Sequence, residues 1–527
     1  MKSKIGAFLL CFTALAAADN YPRQPGIDVQ HYVFRIALAD DTDEISGDAT
    51  VSIRFVQDGI ASFALDLASP ANGKGMTVTT VTGPGPLTYT HRADRLRINL
   101  SAAPKAGELR RFEIKYHGIA AGGLHMLKNI HGERTIFSNN WPDLAHQWLP
   151  AIDHPYDKAS SEFIVTAPAR YQVVSNGRLV EQIDLGDGHR TTHWSEAAPI
   201  PVWLDQIGVA QFASRHFGRA AGVPLETWVF HQDRDAGIAT FEEPTREAIE
   251  FFSDSIGPYP YAKLAAVQAA GMGGGMEVAS AIFYGEKSVT GRPAFGLVAH
   301  ETAHQWFGDS VTEKDWDDVW LSEGFATYFA LLATEHYQGR DAFVAGLKRS
   351  RTAVFRAEDR LPGVAVVQTK PWTGIPNAIV YQKGAWVLHM LRGQLGTAKF
   401  WAGIREYYHR YRDGNASTTD FRRVLEEISG QDLGWFFDQW LYRAGSPVLE
   451  GGWKYDATAR KVAIDLSQVQ PGAAYRLPIE IGIGPRVSKI DMTQRQQHFE
   501  IPCESAPGSV ELDPNTWMLM SAKWGRR

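Results

Sequence analysis

Between about residue 28 and residue 215, apolar and polar positions alternate with a period of two. "YVFRIAL", "ATVSIRFV", "RLRINL", "RRFEIKY" and "SEFIVTAP" are short runs rich in β-branched and aromatic residues, separated by Gly, Pro and Asp turns. They predict an all-β unit. From about 240 the period lengthens to that of a helix. In "PTREAIEFFSDSIG", Ile249, Phe252 and Ile256 share one face, with Pro244 read as lying near the helix start and Gly257 as the stop. Helices are predicted to about 445. They include "FRRVLEEISG", where Phe421, Val424, Leu425 and Ile428 recur at helical spacing behind the capping-type "STTD". After "AGSP" the alternation returns in "KVAIDLSQ" and "LPIEIGIG", which predicts a small β unit. There is no internal repeat. The expected architecture is a multidomain α+β protein: a leader over 1–18, a β domain over 19–215, a helical domain over 216–445 and a small β domain over 446–527.

The leader is read from "MKSKIGAFLLCFTALAAADN", where Lys2 and Lys4 precede an apolar run that ends in small residues. Cleavage is expected after Ala18. An uncleaved anchor is the alternative, although the run is shorter than the ~20 residues that span a bilayer. No later stretch reaches that length, so no stable membrane span is expected after cleavage, and the protein is expected to be exported, either periplasmic or secreted. Cys11 lies in the leader. Only Cys503 would then remain, and no internal disulfide could form.

Composition changes this picture little. With 44% apolar residues and 16 tryptophans among 527 positions, large cores can form. A net charge of −6 offers no basic field for nucleic acid, so small or peptidic partners are expected.

The chemistry is concentrated in "VAHETAHQWFGD". Residues four apart share one helix face, so His300 and His304 can offer two imidazole nitrogens to one ion, with Glu301 beside them. This is the H-E-x-x-H pattern of zinc peptidases. A catalytic zinc needs a third protein ligand and an open position for water. Glu323, in "DVWLSEGFATYFALLATEH", stands near the start of a second predicted helix that can pack on the first. Three ligands around one zinc ion, with Glu301 free to take the proton of water, make a hydrolase. His336 and His389 stand alone on predicted helices and are read as surface or packing residues.

Together, "HETAHQWFGD", "WLSEGFATYF" and the upstream "GGGMEV" resemble the gluzincin zinc aminopeptidases typified by aminopeptidase N and leukotriene epoxide hydrolase. The resemblance runs from "NNWPDLAHQWLPAIDHPYDKAS" to "WLYRAGSP" and covers most of the chain. It implies a saddle-like N-terminal β domain, a thermolysin-like catalytic domain and a small β sandwich. The large C-terminal helical domain found in many members is not expected here. It also implies that Gly274, Gly275 and Met276 form an edge for the substrate backbone and that Glu277 holds the free α-ammonium. An exopeptidase needs an anion where the positive N terminus stops, and Gly lets a backbone approach closely. Val278 departs from the asparagine of the family motif. Asn139 falls nearest the family's second ammonium contact; it is either that contact or a turn cap. In "AIVYQKGAWVLHML", Tyr381 falls on the family's catalytic tyrosine, a phenol that can donate to a developing oxyanion, and Lys383 is read as structural.

The expected function is therefore hydrolysis of the N-terminal peptide bond of peptides with a free N terminus. Two alternatives remain at this point: a thermolysin-type endopeptidase, which has no use for Glu277, and a zinc-stabilised binding protein without turnover.

Overall fold

The computed structural model describes residues 19–367 and 378–527. The leader expected over 1–18 lies outside them. In the N-terminal part, a seven-stranded sheet runs in the order Arg178–Asp184, His189–Ile200, Ala159–Pro168, Ile27–Ala37, Glu44–Phe55, Leu109–Ile119 and Gly75–Thr82. All neighbours are antiparallel except Ile27–Ala37 with Ala159–Pro168. The alternation in the sequence is the alternation of faces. Arg110, Phe112, Ile114 and Tyr116 are buried while Arg111, Glu113 and Lys115 are exposed.

The chain leaves this part earlier than the period change suggests. Strand Ile207–Ala210 still belongs to a small N-terminal sheet, but strand Phe212–Ala220 opens the next sheet. The expected boundary at 215 therefore falls inside a strand. Period-two alternation continues across the break, because the next domain also begins with strands.

That next sheet has the order Phe212–Ala220, Val223–Phe230, Leu264–Ala269, Ala281–Gly285, Gly275–Met276. Its two faces serve two cores. Ala265, Val267 and Phe283 pack into the N-terminal core, while Leu264, Ala266, Ile282 and Tyr284 pack against the helices. Burial on both sides explains why these central strands read as unbroken apolar runs.

Among the described residues eight helices pack with this sheet: α1 (Arg234–Ser255), α2 (Phe295–His304), α3 (Trp320–Gln338), α4 (Arg340–Arg360), α5 (Gly384–Leu395), α6 (Thr397–Tyr411), α7 (Thr418–Ser429) and α8 (Gly434–Trp440). α1 begins ten residues before Pro244, which corrects its expected start. Proline cannot donate to the carbonyl four residues back. That carbonyl, on Thr240, accepts instead from Ala294 N at 3.1 Å, and Thr240 Oγ1 accepts from the N–H groups of Thr290 and Gly291. The break in the helix ladder thus anchors the segment that leads into α2. α7 carries the expected cap: Ser417 and Asp420 exchange hydrogen bonds as a capping box, and Gly430 closes the helix in the left-handed conformation.

After a loop over 441–447, two sheets close the chain, of four strands and three. Their apolar faces join the helical core through Tyr475, Leu477 and Ile479.

Candidate active site

α2 and α3 pack directly on one another and bring the expected metal ligands together. His300 Nε2 lies 3.2 Å from His304 Nε2, and Glu323 Oε2 lies 3.4 Å from the first and 3.3 Å from the second. In a tetrahedron with bonds of 2.0–2.1 Å, two donors stand about 3.3 Å apart. The three atoms therefore form one face of a zinc-sized coordination shell. Two further observations fit an ion. Glu323 Oε2 is buried with no hydrogen-bond partner. The Nδ1 edge of His304 faces the carbonyl of Phe307 at 3.2 Å and Ser322 Oγ at 3.0 Å, so a proton on Nδ1 leaves Nε2 free as a ligand.

The electrostatics agree with this geometry. Burial alone would raise the Glu323 carboxyl, but His304 and His300 outweigh it and hold it at about 2. Burial opposes charge on His304, yet Glu277, Glu323 and Glu301 drive it above the ordinary imidazole range. The cluster attracts positive charge. Glu301 is raised well above the usual carboxylate range by burial and by Glu277 and Glu323.

Glu277, Glu301 and His304 form a second group whose donor atoms lie within 4.8 Å of one another. Glu277 is only 5% exposed and is also raised by burial. Gly275 makes the approach of Glu301 possible, because a Cβ there would stand 2.4 Å from the Glu301 carboxyl carbon. Gly274 has φ +70°, where other residues are strained. The two-residue strand Gly275–Met276 lies at the sheet edge, one side of it open to an extended peptide. Gly274, Gly275 and Glu277 line the cavity beside the histidines; Met276 and Asn139 are not among the lining residues. Asn139 is half-buried, with Oδ1 buried and unpartnered.

Tyr381 sits in a π-helical turn, Ile379–Lys383, directly before α5. Gly324 and Gly384 let α3 and α5 touch backbone to backbone, since a Cβ on Gly324 would lie 3.0 Å from the Gly384 Cα. That contact carries the Tyr381 hydroxyl to Glu323 Oε1, to which it donates at 2.5 Å. Burial and the Glu323 charge raise the phenol far above its usual range, so it keeps its proton and remains a donor. Lys383 is fully buried and donates to Glu358 and to the Gly445 carbonyl, a structural role as expected. His389 is buried in the helical core and His336 is exposed.

One residue was not singled out by sequence. Gln305 Oε1 accepts from Ser280 N at 2.8 Å, while Nε2 donates to Asp309 Oδ2 and to the carbonyls of Glu277 and Val278. It ties the loop that carries Glu277 to the end of α2. Val278 itself is buried in the N-terminal core, so its side chain does not enter the cavity. The only hint in the sequence is a lone polar residue between His304 and the apolar Trp306–Phe307 pair.

Comparisons with known proteins agree with this geometry. A sequence model of the peptidase family M1 domain matches residues 241–440, and one of the peptidase M1 N-terminal domain matches residues 29–204. Glutamyl aminopeptidase of Rattus norvegicus is 29% identical over 342 residues, covering 62% of this chain and 36% of the relative. For the same enzyme of Sus scrofa the identity is 30% over 330 residues, covering 58% and 34%. The chain thus spans about a third of the length of these curated relatives. Among solved structures, an M1 zinc metallopeptidase from Deinococcus radiodurans superposes with a TM-score of 0.66 at 27% identity, covering 76% of this chain and 90% of that one. A mutant of it bound to a Tyr-Ser-Ala substrate gives a TM-score of 0.69 at 25% identity, covering 79% and 94%.

Proposed function

The chain belongs to peptidase family M1, and from that membership we propose that it is a zinc-dependent aminopeptidase, releasing single residues from peptides with a free N terminus. His300, His304 and Glu323 would hold the ion. When bound there, zinc polarises the scissile carbonyl and lowers the pKa of water. Glu301 takes the proton of the attacking water and passes it to the departing amine. The Tyr381 hydroxyl turns from Glu323 Oε1 to the oxyanion that forms at the carbonyl. Glu277 receives the α-ammonium.

The observation that carries this reading is the buried Glu277 carboxylate standing within 4.8 Å of both Glu301 and His304. One residue of extended chain covers about 3.5 Å, so a peptide stopped at Glu277 presents its first carbonyl, and no later one, to the ligand set. An endopeptidase has no such stop, and nothing in the comparisons supports that alternative. The test is a panel of free and N-acetylated aminoacyl chromogenic substrates on wild type and Glu277→Ala. Wild type should cleave only the free amines, and the variant should lose about 30- to 150-fold in kcat/KM on them, the worth of a buried charge-assisted pair. Equal cleavage of acetylated substrates by wild type would overturn the proposal.

The same reading extends to architecture and location. The N-terminal β-rich part would be the saddle domain, residues 212–440 the thermolysin-like domain and the C-terminal sheets a sandwich. Lys2, Lys4 and the apolar run behind them support export with cleavage after Ala18, which N-terminal sequencing of the recovered protein would test. No described helix is long and apolar enough to cross a membrane.

A further inference from the structure

The catalytic cavity, about 680 Å³, is larger than a single residue requires. It leads away from Glu277 along the helices. On α3 its wall continues from Glu323 through Thr327 to Leu331 and Thr334. At the helical rise, Leu331 lies about 12 Å beyond Glu323. α4 contributes Gly346 and Arg349 to the wall at this far end. Gly346 lets Leu331 pack close against α4, and it places Arg349 beside Leu331: a Cβ on it would stand 2.5 Å from Leu331 Cδ2 and 3.8 Å from Arg349 Nη2.

The charges of the lining are sorted along this length. Glu277, Glu301 and Glu323 gather at the catalytic end, and Arg349 is the one permanent cation among the described lining residues. Among the described residues its guanidinium has no ion-pair or hydrogen-bond partner. Nearby arginines behave differently: Arg340 and Arg392 both pair with Glu335. A wall that is anionic at one end and cationic at the other complements a short peptide zwitterion.

We infer that Arg349 binds a carboxylate on the leaving-group side of the substrate, so that short peptides lie across the cavity between Glu277 and Arg349. An extended chain covers about 3.4 Å per residue, so a carboxylate three to four residues beyond the first carbonyl reaches this end, and an arginine side chain brings that of a tripeptide within range. The carboxylate can be the C terminus or an acidic side chain. This inference rests on the aminopeptidase reading.

The experiment measures kcat/KM for Leu-Gly-Gly and Leu-Gly-Gly-Gly as free acids and as C-terminal amides, with Leu-Gly-Asp-amide as a third arm, on wild type, Arg349→Gln and Arg349→Lys. Because Arg349 is solvent-exposed, the expected preference for acid over amide is modest, about three- to tenfold in wild type. Arg349→Gln should bring that ratio to about one, and Arg349→Lys should keep part of it. Recovery of the rate by Leu-Gly-Asp-amide assigns the site to any nearby carboxylate; no recovery assigns it to the C terminus. A ratio of one in wild type, or a ratio unchanged in Arg349→Gln, would overturn the assignment while leaving the aminopeptidase reading intact. Absence of turnover by wild type on every peptide would overturn that reading and this inference with it.

Discussion

Gln305→Leu tests whether the loop that carries Glu277 is held in place from the metal helix. The change preserves side-chain bulk and deletes the whole hydrogen-bond set of the amide. Ser280 N loses its acceptor, and Asp309 Oδ2 loses its donor beside an Oδ1 that already has none. The Tyr259 hydroxyl, which donates to Gln305 Oε1 at 3.0 Å, still reaches the Lys263 carbonyl. Two orphaned buried groups cost about 1–3 kcal/mol each, so the domain should lose about 2–6 kcal/mol. The carbonyls of Glu277 and Val278 are released as well, and a misplacement of ~1 Å at a positioning group costs up to about a hundredfold in rate. Zinc should stay, because His304 is oriented by Phe307 and Ser322 and not by Gln305. The assay is urea unfolding followed by tryptophan fluorescence, with kcat, KM and metal content measured on the same preparation. We expect KM for free-amine substrates to rise at least tenfold with about one zinc retained. Wild-type stability together with wild-type KM would refute the clamp.

Three further outcomes follow from the same geometry. Tyr381→Phe should lower kcat by about 10²–10³ with little change in KM or zinc content, since the role proposed for the hydroxyl is on the oxyanion and not on the ground state; a tenfold rise in KM at unchanged kcat would contradict this. Chelation followed by dialysis should abolish turnover and lower the thermal midpoint, and stoichiometric zinc should restore both; activity that survives chelation would exclude the ligand set. Burial holds His389 down at about 3, neutral between the Tyr328 hydroxyl and the Thr516 carbonyl, against ~6.5 in the unfolded chain. Its stabilising contribution is present above ~6.5 and is lost as pH falls towards 3. Unfolding free energy should drop by about 2 kcal/mol more between pH 7 and pH 5 in wild type than in His389→Gln, and equal slopes would refute the assignment.

Much of this was legible in the sequence because it lies in local patterns. The faces of strand Leu109–Ile119 and the cap at Ser417 follow from two- and three-residue spacings. His300, His304 and Glu301 share one helix, and Glu323 is close behind on the next. What the sequence concealed is set by contacts between distant segments. Where α1 runs through Pro244, the abandoned Thr240 carbonyl is taken by Ala294, a partner 54 residues away. The break near Gln211 is hidden because strands lie on both sides of it. Gln305 is polar in a buried place, and its five hydrogen-bond partners are spread from Tyr259 to Asp309. Gly324 and Gly384 looked like ordinary helix residues until their backbones met and carried Tyr381 to Glu323.

The central claim is that Glu301 is the proton-transfer group of a site whose ion is held by three other side chains. It is tested most directly by measuring bound zinc and single-turnover rate together in Glu301→Gln. The account predicts about one zinc per chain, as in wild type, with turnover reduced by at least a thousandfold. Loss of the zinc, or a rate within tenfold of wild type with zinc still bound, would contradict it.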